Sequence, residues 1–106
     1  MAQQEIARAM DTLTHGVYVL GVHTPEQDNL MTAAWLCQIS AAPPMLAVAV
    51  SRSHLTAELI ERAGAFTVSV LAPYQKPEAF ACGQVSGRKA DKLSLVKTER
   101  TESGIP

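Results

Sequence analysis

Three runs of strand-type residues follow one another with only turn residues between them, and this succession restricts the fold more than any other feature. "GVYVLGV" (Gly16 to Val22) is rich in β-branched and aromatic side chains, which pack well on a pleated surface. "TPEQDN" (Thr24 to Asn29) gathers residues that favour chain reversal. The apolar run from Leu30 to Ile39 is expected to pair back against the first strand. Pro43 and Pro44 stop it, because neither has an N–H to give to a ladder. "MLAVAV" (Met45 to Val50) is apolar throughout and suits a strand buried on both faces, in a barrel wall or under a helix. Neighbouring parallel strands need a long crossover, usually a helix, and these runs leave no room for one. The expectation is a mainly β fold: a small antiparallel barrel or sheet with short helices packed at one end.

Helical signals flank and follow these runs. Ile6, Met10 and Leu13 have the spacing of a short N-terminal helix. "SRSHLTAELIERAG" (Ser51 to Gly64) is the clearest helix, with Ser53 as the expected cap and Gly64 just past the end. Leu55, Leu59 and Arg62 share one face, with Ile60 beside it. "AFTVSVL" (Ala65 to Leu71) sets Phe66, Val68 and Val70 against Thr67 and Ser69, the period of a half-buried strand. "KPEAFACG" (Lys76 to Gly83) reads as a short helix with Pro77 in its first turn. Ser86 and Gly87 interrupt it, and Arg88 to Leu95 is expected to form another.

Size and charge remove several classes of function. A chain of 106 residues holds one core, hence a single domain over 1–106. With 47% hydrophobic and 18% charged residues it should fold. The formal net charge of -1 gives no basic excess for nucleic acid. The longest apolar stretch, Met45 to Val50, is too short to cross a bilayer. "MAQQEIARAM" has no cationic segment followed by an apolar run, so no secretory signal is read and the cytoplasm is the expected location. Cys37 and Cys82 form no C-x-x-C pair and are expected as reduced, buried, small apolar residues.

No catalytic set of side chains is evident. His15, His23 and His54 are too scattered for a metal site, and neither a Walker A motif nor G-x-G-x-x-G occurs. Three stretches suggest an anion and a flat ligand. "SRSHLT" (Ser51 to Thr56) opens a helix directly after a strand, where free amides and the helix dipole favour a phosphate. Its hydroxyls and Arg52 add donors, although simple capping explains the same residues. "NLMTAAWLCQIS" (Asn29 to Ser40) has small residues at Thr32, Ala33 and Ala34 that admit a flat ring, and Trp35 beside them, although a Trp in a strand also suits a core. "CGQVSGRKADK" (Cys82 to Lys92) offers Ser86, Gly87, Arg88, Lys89 and Lys92, a phosphate-side loop or a solvated basic turn.

Taken in order, "NLMTAAW", "PPM" with "LAVAV", "SRSHLTAELI", "FTVSVL", then "CG", "SGR" and "DK" resemble the flavin reductase-like family of FMN-binding split barrels, and its flavoredoxin-type branch most. The likeness covers residues 10 to 95. It implies an antiparallel Greek-key barrel, split open, that binds FMN and usually forms a homodimer. It places Asn29, Thr32 and Trp35 along the isoalloxazine and ribityl chain. It assigns Ser51, Arg52 and Thr56 to the phosphate, and brings Lys92 to the flavin or its tail with Ser86 and Arg88 nearby. Cys82 then shapes a turn and does no redox work. Ala34 and Trp35 stand where many relatives carry Asn and Ser, which favours the flavoredoxin-type branch. Family domains run longer, so "TESGIP" reads as a cut within the domain, with the barrel incomplete at its C-terminus. Two functions are therefore expected as alternatives. One is an FMN-dependent oxidoreductase fed by NAD(P)H, bound transiently, or by a redox protein. The other is a non-catalytic barrel module or fragment with weak or no flavin binding.

Overall fold

The computed structural model describes residues 2–106. The turn signal at residues 24–27 closes a hairpin between β1 (Tyr18–His23) and β2 (Asp28–Ala33). Thr24 makes the turn: its hydroxyl donates to the Gln27 carbonyl at 2.7 Å and accepts from the Gln27 N–H at 3.0 Å. After the chain passes β3 (Leu36–Ala41), β4 (Pro44–Val48) and α2 (Leu55–Ala63), β5 (Thr67–Val70) pairs with the other side of β1. The result is a three-stranded antiparallel sheet in the order β2-β1-β5.

Alternation along the strands gives this sheet two covered faces. On one, Val22 packs with Leu55 and Leu59 of α2, and Leu20, Met31 and Ala33 continue the layer toward Phe66 and Val68. On the other, Val19 and Leu30 pack with Cys82 of α3 (Lys76–Gly83), with Leu71, Leu93 and Val96 around them. Thr32 ties the two layers, its hydroxyl donating to the Ala79 carbonyl at 2.6 Å. The C-terminal residues return across the sheet. Thr67 donates its hydroxyl to the Pro106 carbonyl, which lies against Gly21 where a Cβ would stand.

The antiparallel, helix-covered architecture expected from the sequence is present, and the strands do not close into a barrel. α3 spans the residues read as a helix, and Gly64 ends α2 with φ 71. Several local expectations fail. The run from Leu30 to Ile39 is not one strand: β2 ends at Ala33, and β3 pairs only with β4 in a separate two-stranded hairpin. Nothing in Ala34–Trp35 signals a break, because both residues tolerate extended backbone. β4 is largely exposed, since a strand in a two-stranded hairpin has one neighbour, and only Val48 and, beyond it, Val50 reach the core. Cys37 lies in that hairpin and is exposed too. The N-cap residue of α2 is His54, without a side-chain cap, while Ser53 pairs its hydroxyl with that of Ser51 at 3.0 Å. α1 (Gln3–Met10) forms but buries no residue. Of residues 88–95 only Lys92–Ser94 is helical, a single 3-10 turn in which the Leu93 N–H donates to the Asp91 carboxylate.

Candidate functional site

β2 pairs with β1 on one side and, among the described residues, with no strand on the other. Beside that free edge stand the first turn of α2 and the loop that leaves α3. Between them lies a cleft of about 250 Å³, bordered by Asn29, His54, Thr56, Ser86, Gly87 and Lys92. The sequence builds it simply. Asn29 shares its face of β2 with Met31, the face that α2 covers, and its Nδ2 donates to Thr56 Oγ1 at 3.0 Å. The loop packs so closely on this pair that a Cβ at Gly87 would run into the Asn29 amide. A Cβ at Gly83 would come to 3.0 Å from Thr32.

Lys92 sets the electrostatics. Its side chain is 4% exposed, and Nζ donates to the Cys82 carbonyl at 2.6 Å. No carboxylate lies within ion-pairing distance of it among the described residues. Burial holds its pKa below the ordinary lysine value, although the neighbouring Cys82 works the other way. Burial also raises the Cys82 thiol, which Lys92 partly offsets. A buried thiol held protonated is a poor nucleophile.

Five of the residues singled out in the sequence meet here: Asn29, Thr56, Ser86, Gly87 and Lys92. Thr32 lies next to the cleft with its hydroxyl committed to α3. Arg88 turns outward to Glu58, Nη2 to Oε1 at 2.5 Å, and only its N–H bonds Ser86 Oγ, at 3.1 Å. Ser51 and Arg52 are exposed in the turn before α2 and do not border the cleft. Trp35 is 70% exposed and borders a separate groove with Tyr18 and Cys37. Sequence reasoning missed His54 and Gly83 as cleft residues. His54 has no metal partner at helical spacing, yet its place at the entrance of α2 is a readable signal.

Open antiparallel sheets under short helices, with a cleft on one strand edge, define a domain of the split-barrel class. The chain belongs to the flavin reductase-like family: residues 10–106 match its model, described as a flavin reductase like domain. It is 33% identical over 102 residues to the high molecular weight rubredoxin of Moorella thermoacetica, covering 93% of this chain and 44% of the relative. Among solved structures it resembles a flavoredoxin from Methanosarcina acetivorans, with TM-score 0.76 and 36% identity over 83% of this chain and 47% of that one. An FMN-binding protein from Thermus thermophilus gives TM-score 0.81 and 29% identity over 90% and 53%. The chain thus spans about half the length of these relatives.

Proposed function

We propose that the cleft at the β2 edge binds FMN and that the protein is a redox protein of the flavin reductase or flavoredoxin type. The observation that carries this reading is Lys92, a buried ammonium with one carbonyl partner at the border of the cleft. Burying an unpaired charge is costly, and a bound anion offsets that cost. The other donors agree. The entrance of α2 presents unpaired amides and the positive end of its dipole, which suit a phosphate. Thr56 and Ser86 add hydroxyls. Arg52 and Ser51 would meet the phosphate from its solvent side; Thr32 and Trp35 would border the ring only at the margin of the cleft.

Bound FMN supplies hydride and one-electron chemistry. The chain's own residues then bind, orient and tune. Asn29 holds a fixed amide beside the ring, and the Lys92 charge favours any added negative charge nearby. This role needs no acid or base side chain. The reading extends to NAD(P)H or a redox protein as electron source, to a homodimer and to the cytoplasm.

A second reading, a module with weak or no flavin binding, draws on one observation. At about 250 Å³ the cleft falls below the roughly 300–1,000 Å³ usual for small-molecule sites, so a flavin would not be enclosed by this chain alone. Titration of purified protein with FMN, followed by flavin absorbance and fluorescence, separates the two. Saturable binding that weakens in Lys92→Met supports the first; a colourless protein indifferent to FMN supports the second.

A further inference from the structure

On the face of the sheet opposite the β2 cleft, α3 and residues 96–99 border a cavity of about 220 Å³. Strand alternation separates the two sites. Asn29 and Met31 border the cleft, whereas Leu30, between them in β2, borders the cavity together with Val19 of β1. Val19, Leu30, Leu71 and Val96 make its walls apolar. Its polar end comes from Gln75, just before α3, and Glu78, in the first turn of that helix. Gln75 is engaged, its Oε1 accepting from the Ala72 N–H at 2.8 Å. Glu78 is not. Its Oε2 is shut off from solvent and accepts from no group among the described residues. No cation lies within ion-pairing distance of this carboxylate among the described residues. Lys97 and Glu99 stand at the exposed rim of the cavity with opposite charges. The helix dipole favours a carboxylate in the first turn, but it does not replace a hydrogen-bond donor. A carboxylate half removed from water and left unpaired is costly, and a cation beside it offsets that cost.

We propose that this cavity is a second ligand site, for a small primary amine carried on a single apolar ring, with the ammonium on Glu78 and the ring between Val19, Leu30, Leu71 and Val96. The geometry selects an ammonium over a guanidinium or amidinium. With Oε2 enclosed, one carboxylate oxygen remains open, which suits a point donor and not a two-pronged one. Size selects the ring. An apolar cavity of about 150 Å³ holds benzene, so about 220 Å³ accepts a ring with a short link to its amine. The same volume lies below the roughly 300 Å³ at which sites for larger ligands begin, so a nucleotide is too large. The inference stands apart from the flavin reading, because no residue that borders the cavity borders the cleft.

The test uses benzylamine, with benzyl alcohol as its uncharged counterpart, in an amide-resolved NMR titration. Benzylamine should shift the amides of Leu71, Gln75, Glu78 and Val96 saturably and leave those of Thr56 and Ser86 unmoved. Benzyl alcohol should bind at least roughly tenfold more weakly, since it lacks the charge-assisted bond. Glu78→Gln keeps the size of the side chain and removes its charge. Benzylamine affinity should then fall roughly tenfold to a hundredfold, with benzyl alcohol affinity nearly unchanged. Ser69, on the exposed rim, gives a second variant: Ser69→Leu narrows the mouth with Glu78 in place and should weaken both ligands alike. If Glu78→Gln does not fold, the amine–alcohol comparison in wild type and the Ser69→Leu titration decide the matter alone. No saturable shift, shifts centred on Thr56 and Ser86, equal affinity for amine and alcohol, or equal benzylamine affinity in wild type and either variant overturns the proposal.

Discussion

The Lys92 ammonium donates to the Cys82 carbonyl at 2.6 Å, joining the 3-10 turn to the end of α3 and holding a buried charge at the cleft. Lys92→Met keeps most of the stem and removes the charge. FMN affinity should fall roughly tenfold to a hundredfold, the effect of one charge-assisted bond. Arg52→Ala, in the exposed turn outside the cleft, should weaken binding less. Equal losses in the two variants, read by fluorescence titration, would remove Lys92 from its central role.

Lys92 also predicts a pH dependence of stability. Its folded pKa lies below the ordinary lysine value of 10.5, so near that value the unfolded chain holds more protons. The Lys92 contribution therefore rises with pH from the folded pKa up to 10.5. Cys82 acts oppositely: its folded pKa is raised above 9.0, so its contribution falls as pH climbs through that value. The stability difference between wild type and Lys92→Met isolates the lysine and should grow in favour of wild type between neutral pH and 10.5. Urea unfolding across that range gives the slope, and a flat difference would show that Lys92 is not desolvated.

Thr56 and Asn29 form a buried pair, so their mutations should not add. Thr56→Val deletes the acceptor and leaves the Asn29 amide unpaired, at about 1–3 kcal/mol. Adding Asn29→Leu removes the orphaned donor and should return part of that loss. Chemical denaturation of both single variants and the double variant completes the cycle. Additive losses would mean that the bond contributes nothing.

Gly87 and Gly64 should respond differently to alanine. At Gly87 the new methyl meets the Asn29 amide, so the loop must shift. We expect a stability loss of about 1–3 kcal/mol together with weaker FMN binding. At Gly64 nothing lies within 4 Å, and the cost is the left-handed backbone at φ 71 alone, about 1–2 kcal/mol. Gly64→Ala should leave FMN affinity unchanged. Unaltered flavin binding in Gly87→Ala would separate the loop from the site.

Asp28 should make the fold acid-sensitive. Burial pushes its carboxyl up, but hydrogen bonds and charge from Arg100 and His23 outweigh it and leave the pKa below 3.8. Its contribution is therefore complete above 3.8 and lost as pH falls through the folded value. Asp28→Asn should be less stable than wild type at pH 6 and approach it near pH ~2, followed by thermal unfolding. A gap that stays constant with pH would assign the effect to packing.

The sequence by itself determined the elements whose causes are local. Thr24 to Asn29 specify a reversal by their turn chemistry, Gly64 ends α2 because it accepts a positive φ, and Pro77 suits the first turn of α3. The ordered motifs were also enough to identify the family and to bring forward Asn29, Thr56, Ser86 and Lys92. Tertiary structure alone decided the rest. Leu30 to Ile39 reads as one apolar run, yet only its first part joins β1; where a run leaves a sheet depends on pairing partners distant in sequence. Burial followed the same rule: Met45, Leu46, Ala47 and Cys37 look like core, but their hairpin has too few neighbours to bury them. Arg88 and Lys92 lie in one basic stretch, and composition makes them equivalent. Packing of the loop on β2 turns one toward Glu58 in solvent and buries the other against Cys82, because a long side chain goes where the backbone of its turn aims it.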